Sequence, residues 1–490
     1  MTVPVPKFAP TLLLALALAG CAVGPDYQRP ELNTPAAFKQ AQGWKAAAPA
    51  DALARGAWWE LYGDATLNDL QQRLEQSNQS LAQSLAQYRE AQALVRGTRA
   101  SFFPSVTANA GKTRSGQGAG QSTVRLADGS TVTSGASGGG ISKSYELTFG
   151  VAWELDLWGK LRRQLEADNA SLQASAADLA AVRLSLQSEL AQNYLQLRVL
   201  DEQQRLLDAT VQAYARSLKL TDNQYQAGIV TKADVTQART QLKSTEAQAI
   251  DLRYQRAQLE HAIAVLIGVP PAEFALAAAD GLPVLPPVPV SVPSLLLERR
   301  PDVASAERAV MSANAEIGVA KAAWFPSLSL SAAGGYRSSM LDQWISTPNR
   351  FWSIGPQFAM TLFDAGLISS QVEQAEARYD QTVAGYRQTV LDSFREVEDY
   401  LVQLRVLEEE SGVQQEALEA ARESLRLVEN QYKAGTIDYN SVVSVQTAAL
   451  ANERSQLTLL GSRLTASVQL IAALGGGWAG VGAEQDAGRD

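Results

Sequence analysis

The chain repeats itself once, and this duplication limits its fold more than any other feature. Ala100-Ser101-Phe102-Phe103-Pro104-Ser105 returns as Ala323-Trp324-Phe325-Pro326-Ser327. Leu197-Arg198-Val199-Leu200 returns unchanged at Leu404 to Leu407, and Gln224-Tyr225-Gln226-Ala227-Gly228 returns as Gln431-Tyr432-Lys433-Ala434-Gly435. The spacings are kept as well. Gly159 to Gly228 and Gly366 to Gly435 are both 69 positions, and Gly228 to Gly268 and Gly435 to Gly475 are both 40. The two units, 61–268 and 301–475, are joined by residues 269–300. Eight prolines fall within 269–301, a density that suits an extended linker. Residues 21–60 read as an irregular leader and 476–490 as a tail.

Each unit reads as a helix, two strands, a very long helix and a second helix. Residues 160–227 contain neither Gly nor Pro; as one helix they would measure about 100 Å at about 1.5 Å per residue. A largely apolar series recurs every seven positions, through Leu190, Leu197, Gln204, Val211, Leu218 and Tyr225 in the first unit and Val397, Leu404, Ser411, Leu418, Leu425 and Tyr432 in the second. A sustained seven-residue period means supercoiled helix packing. Helices are expected over 160–227 and 229–267, and again over 367–434 and 436–474.

The strands show a period of two. From 145 to 157 the odd positions are Tyr, Leu, Phe, Val, Trp, Leu and Leu, while the even ones include Glu146, Thr148, Gly150, Glu154 and Asp156. Strands are expected at about 104–116, 143–157, 327–340 and 351–362, with the Gly/Ser-rich stretch 111–140 read as a long external loop. Four amphipathic strands between coiled coils make a poor soluble sheet. A transmembrane strand needs roughly 9–11 residues with one lipid face and one lumen face. On that reading Glu146, Glu154 and Asp156 face a lumen, while Leu147, Phe149, Val151 and Trp153 face lipid. Four strands cannot close a water-filled barrel alone, so the chain must oligomerise. The expected fold is mainly α with a membrane β-barrel shared between protomers.

The N-terminus reads as a secretion signal over 1–20, with Lys7, an apolar run from Leu12 to Ala19, and then Gly20-Cys21. The run is too short to span a bilayer. Leu18-Ala19-Gly20-Cys21 matches the lipobox of bacterial lipoproteins, which implies cleavage before Cys21 and acylation there. Cys21 is the sole cysteine, and an unpaired thiol in a secreted chain otherwise needs explaining. Ala22 follows it, where an aspartate would point to inner-membrane retention.

Nothing in the chain favours catalysis or a cofactor. The one histidine, His261, sits amid Leu259, Ile263 and Leu266 and reads as a packed or capping residue. With Cys21 committed to lipid no Cys/His metal cluster remains. Gly138-Gly139-Gly140 lacks the helix and basic residue of a phosphate loop. The net charge of −9 argues against nucleic acid as a partner.

Together, Cys21-Ala22-Val23-Gly24-Pro25-Asp26-Tyr27, Glu298-Arg299-Arg300-Pro301-Asp302 and the paired Phe-Pro-Ser strings resemble the TolC-like outer-membrane efflux proteins, in the lipoprotein branch that works with RND-type pumps. The resemblance covers nearly the whole chain. It implies a homotrimer, a twelve-stranded barrel continuous with a twelve-helix periplasmic tunnel, and docking to a periplasmic adaptor and an inner-membrane pump. It implies passive exit of small molecules and an outer-membrane location. A duct for a type I protein-secretion system and a non-conducting coiled-coil lipoprotein scaffold are the alternatives. The resemblance also implies a gate at the hairpin ends near Tyr225, Gly228 and Gly435, where Tyr432 matches a tyrosine that ties to an aspartate matched by Asp234. Both residues also have simpler uses, Tyr432 in its helix seam and Asp234 as a cap. The family's usual aspartate ring reads Ser444 here, and Asp438 lies out of register.

Overall fold

A computed structural model of the chain describes residues 22–32, 35, 37–41, 57–116, 122–125, 131–134, 141–279, 281, 284–286 and 300–476. The expected signal segment, Cys21, part of the leader, most of the linker and nearly all of the tail lie outside the described residues. The helices are α1 (Ala65–Ser77), α2 (Gln79–Ala100), α3 (Lys160–Gln226), α4 (Lys232–Leu266), α5 (Pro301–Ala322), α6 (Leu367–Lys433) and α7 (Tyr439–Ala473). The strands are β1 (Ser105–Gly116), β2 (Ser122–Arg125), β3 (Thr131–Ser134), β4 (Ile141–Leu155), β5 (Ser327–Ser338) and β6 (Arg350–Ala359). Among the described residues no helix is long and apolar enough to cross a membrane.

The repeat is visible in the elements: α3 and α6 each have 67 residues, and α4 and α7 each have 35. Two details differ from the sequence reading. The first helix of the first unit is interrupted at Asn78, which has extended backbone. Its Oδ1 accepts from the Leu81 amide at 2.8 Å and its Nδ2 donates to the Leu266 carbonyl at 2.7 Å, so a buried side chain replaces the lost helical bonds. The stretch expected to be loop also holds structure, because β2 and β3 pair as a hairpin between Ser122 and Ser134.

The chain divides into two compact units. One contains residues 91–171 and 310–381 with the leader up to Gln28, and the other contains 29–90, 172–309 and 382–490. The first unit carries a four-stranded antiparallel sheet in the order β1-β4-β5-β6. All four of its helix connections leave from one end of the sheet, at Ser105, Leu155, Ser327 and Ala359, while Gly116, Ile141, Ser338 and Arg350 mark the loop end.

The second unit is helical. Its core joins Trp58, Tyr62, Leu67, Leu70 and Leu74 to Leu190, Tyr194 and Leu197 of α3, Val397 and Leu401 of α6, and Leu464, Leu470 and Ile471 of α7. Both long helices therefore bury their seven-residue seams at corresponding turns. Two tyrosine hydroxyls in this core are bonded, which offsets their burial: Tyr62 Oη lies 2.6 Å from Ser467 Oγ, and Tyr194 Oη donates to Asp64 at 2.7 Å. Burial holds the Tyr194 hydroxyl up at about 12, with the Asp64 carboxylate pushing the same way. The linker is pinned by arginines, since Arg256 donates to the Leu276 carbonyl at 2.6 Å and Arg198 to that of Gly281 at 2.9 Å.

Candidate functional site: the amphipathic sheet and the hairpin ends

The register of the sheet places every apolar run on one face. Val106, Val151, Ala332 and Ile354 form one cross-strand row, and Ala108, Phe149, Gly334 and Trp352 form the next. Trp153, Leu330 and Pro356 continue toward the helix end, followed by Leu155, Leu328 and Phe358. This face is uncovered in the single chain: Trp352 is 76% exposed, Val106 71% and Ile354 65%. A soluble protein hides such a surface, because an apolar patch this continuous marks contact with lipid or protein. Aromatic residues mark both of its ends, as on membrane barrels. Tyr145 and Tyr336 lie toward the loops, while Trp158 stacks on Phe325 at 4.9 Å at the helix end.

The opposite face is polar. It carries Thr107, Asn109, Thr148, Ser329, Ser331, Ser353 and Gln357, together with Glu146 and Glu154. Glu146 pairs with Arg337 on the neighbouring strand at 2.8 Å and accepts from Thr148 at 2.9 Å. Glu154 is exposed on this face opposite Ser329. Asp156 is not a strand residue. It follows the end of β4 and caps α3, accepting from the Leu161 and Arg162 amides at 3.0 Å and from Arg162 Nε at 3.2 Å. A carboxylate at a helix start satisfies orphan amides and favours the helix dipole. Period-two reasoning carried the strand two residues too far, because the side chain of Asp156 belongs to the helix start.

The leader is docked in the same unit. Buried Arg163 holds it with a fork of contacts: Nε donates to the Val23 carbonyl at 3.2 Å, and Nη2 donates to the Gly24 carbonyl at 3.3 Å and Asp26 at 2.8 Å. The Val23 amide donates to the Trp158 carbonyl at 3.0 Å, and Asn314 donates to the Pro25 carbonyl at 3.0 Å. Sequence reasoning identified the leader string but missed Arg163; no spacing links residues so far apart.

The hairpin ends lie in the helical unit. Gly228 and Gly435 end α3 and α6 with φ of 72° and 74°. Gly228 donates to the Tyr225 carbonyl and Ile229 to that of Gln224, both at 2.9 Å. Gly435 and Thr436 repeat the pattern to Tyr432 and Gln431. This is the Schellman arrangement, which needs a left-handed residue and hence glycine. The following helices are capped in reciprocal ways. In α4, Thr231 is the cap and Asp234 its partner, with the Thr231 amide and hydroxyl donating to Asp234 at 2.8 and 2.7 Å. In α7, Asp438 is the cap and accepts from the Ser441 amide and hydroxyl at 2.8 and 2.9 Å, bonds that lower its pKa.

Within one chain Asp234 and Tyr432 are not paired with each other. Asp234 is engaged in the capping box, and Tyr432 Oη donates to Gln224 Oε1 at 2.8 Å. The Tyr432 ring lies 5.5 Å from that of Tyr439, and Lys232 sits 5.1 Å over the Tyr225 ring at the equivalent place in the first sequence repeat. Gln224 was missed by the sequence reading, although it lies in the repeated string beside Tyr225.

Arg300 anchors the start of α5, the first helix of the second sequence repeat. It donates two bonds to Asp302, at 3.0 and 2.6 Å, and one to Glu396 at 2.7 Å. His261 is exposed on α4 and not packed as expected, because it falls on the outer side of the helix from Ile263 and Ala264.

The model of the outer membrane efflux protein family matches residues 70–269 and 292–476. The probable efflux pump outer membrane protein TtgC of Pseudomonas putida is 30% identical over 95% of this chain and 94% of its own length. The cation efflux system protein CusC of Escherichia coli is 29% identical over 95% of this chain and 97% of its own. Among solved structures, the outer-membrane channel OprN superposes with a TM-score of 0.83 at 30% identity, covering 94% of this chain and all of the other. The chain belongs to the outer membrane efflux protein family and is an outer-membrane efflux channel of a Gram-negative bacterium.

Proposed function

We propose that three copies of this chain close a twelve-stranded barrel, continued by twelve helices as a tunnel, and that the assembly is the passive exit duct of a tripartite efflux system. One observation carries this reading: a four-stranded sheet with an uncovered apolar face and two open edges, β1 and β6. An open edge in lipid leaves backbone groups unsatisfied, at several kcal/mol each, so the sheet must close on further copies. Two copies would give eight strands, whose interior side chains fill. Three is the smallest number that leaves a bore. Exposed Ile250, Tyr254 and Val265 on α4 and Val413 on α6 supply apolar surface for neighbouring helices.

Family membership supports a periplasmic adaptor and an inner-membrane pump as partners, with the pump supplying energy and selection. Relatives of similar identity carry names for antibiotic, cation and toluene efflux. Such different cargoes suit a duct that does not choose among them. Acylation of Cys21 supplies a second hold on the membrane, and no other cofactor is needed. The hairpin ends form the gate, where the Tyr432–Gln224 bond ties the ends of the two long helices.

Planar-bilayer recording tests the duct. Purified protein is expected to insert as a cross-linkable trimer and give discrete conductance steps. A trimer that inserts without conducting would instead fit the scaffold alternative.

A further inference from the structure

The uncovered face of the sheet carries only four charges, all of them positive and all at the loop end. Lys112 and Arg114 lie on β1, Lys143 on β4 and Arg350 on β6, and all four are exposed. The register puts them on the apolar face: Arg114 is opposite Lys143, Lys112 opposite Tyr145, and Arg350 opposite Tyr336. The acids Glu146 and Glu154 are on the other face, where Glu146 is already paired with Arg337. Among the described residues no carboxylate pairs with any of the four; Lys112 instead lies 5.6 Å over the Tyr145 ring.

Placing Arg114 directly opposite Lys143 is unfavourable in isolation, because like charges facing across strands repel. The arrangement becomes favourable when an anion sits between them. The cations begin level with the tyrosines, where the apolar rows end: Lys112 and Arg350 share the tyrosine rows, and Arg114 and Lys143 lie one row further out. That is headgroup depth for a strand whose apolar rows lie in the hydrocarbon. The helices leave from the opposite end of the sheet, so on the barrel reading this end meets the outer leaflet, which in a Gram-negative outer membrane is built of a phosphorylated glycolipid.

We propose that Lys112, Arg114, Lys143 and Arg350 form a docking surface for the phosphate groups of the outer-leaflet lipopolysaccharide. The surface rests on the barrel reading of the sheet. Two guanidinium groups supply forks that match phosphate geometry, and two ammonium groups supply mobile point charges. Tyr145 and Tyr336, in the rows of Lys112 and Arg350, mark the boundary between headgroup and acyl chain.

The test uses full-length trimer in neutral detergent with rough-type lipopolysaccharide as the probe, read by native mass spectrometry. Wild type is expected to retain the lipid and to bind an enzymatically dephosphorylated sample far more weakly, a comparison that needs no variant. Each of Lys112→Gln, Arg114→Gln, Lys143→Gln and Arg350→Gln is expected to weaken retention about fivefold, as for one cation near an anionic lipid surface. Arg337→Gln, on the other face, should leave it unchanged. Equal retention of phosphorylated and dephosphorylated lipid would overturn the proposal, as would equal retention by wild type and the fourfold variant. Phosphatidylglycerol competing as well as lipopolysaccharide would overturn it too. Bilayer conductance, recorded in parallel, separates the two readings: conducting protein that ignores phosphate removes the docking surface alone, whereas wild type that inserts and never conducts removes the barrel.

Discussion

Gly24 lies so close to Gly318 that a β-carbon on Gly24 would stand 2.4 Å from the Gly318 Cα. The reverse is also true: a β-carbon on Gly318 would stand 2.7 Å from the Val23 carbonyl oxygen and 2.8 Å from Arg163 Cγ. Gly24 also has φ of 106°, a backbone state that side chains resist. The leader is therefore packed backbone to backbone against α5. Ala22, next to Cys21 in sequence, begins a segment fixed to the sheet unit.

Gly24→Ala is expected to undock this segment, because the backbone strain alone costs about 1–3 kcal/mol and the clash adds to it. Arg163→Ala should act alike by removing a buried fork. Arg163→Lys should restore little, since one ammonium cannot reach all of its acceptors. Limited proteolysis within residues 22–32 checks this; a leader as resistant in Gly24→Ala as in wild type would contradict it.

At the hairpin ends a β-carbon on Gly228 or Gly435 would meet nothing within 4 Å. Space is free, so only the backbone angle requires glycine. Gly228→Ala and Gly435→Ala should each cost about 1–2 kcal/mol, the penalty for a left-handed L-residue, and asparagine should cost less. Hydrogen exchange at the ends of α3 and α6 should rise correspondingly in the alanine variants.

The Tyr432 hydroxyl bonds Gln224, so Tyr432→Phe and Gln224→Ala should loosen the closed state by similar amounts, about 0.5–1.5 kcal/mol. The double variant should add little beyond either one. Asp234→Ala should behave differently, losing a capping box worth about 1 kcal/mol of α4 stability without the same rise in conductance. Single-channel recording separates these cases. If Asp234→Ala and Tyr432→Phe conduct alike and Gln224→Ala conducts as wild type, the tie runs to Asp234 of a neighbouring hairpin.

Acylation of Cys21 should appear as added acyl mass on an N-terminal Cys21 in the mature protein. Cys21→Ser should reduce targeting without abolishing conductance, since a barrel holds the membrane by itself. A mature chain that starts elsewhere and carries no acyl mass would remove the anchor.

The elements were legible from the sequence because local rules agreed with the fold. Glycine and proline punctuation, the seven-residue seams and the alternating strands all pointed the same way. The long helices α3 and α6 end within a residue of the expected 227 and 434. The break at Asn78 was not legible, since a buried asparagine bonded to Leu266 depends on a partner 188 positions away. Arg163 and Gln224 were hidden for the same reason: their partners are set by packing, not by spacing. Asp156 misled because a strand's polar phase and a helix cap ask for the same residue at the same place.

On the proposed barrel the two faces of the sheet meet lipid and water. Thr148 and Phe149 are adjacent on β4, on opposite faces. Phe149→Arg should cost about 2–4 kcal/mol near the membrane midplane, while Thr148→Arg should be tolerated.

Cysteine labelling of the trimer in its membrane is the most direct measurement. Cys21 is the only native cysteine, and the Cys21→Ser background removes its thiol from the experiment. Thr148→Cys should react with a water-soluble, membrane-impermeant thiol reagent, and Phe149→Cys should resist it and react with a lipid-soluble one. Equal reaction of both positions with the water-soluble reagent would mean that this sheet lines no channel.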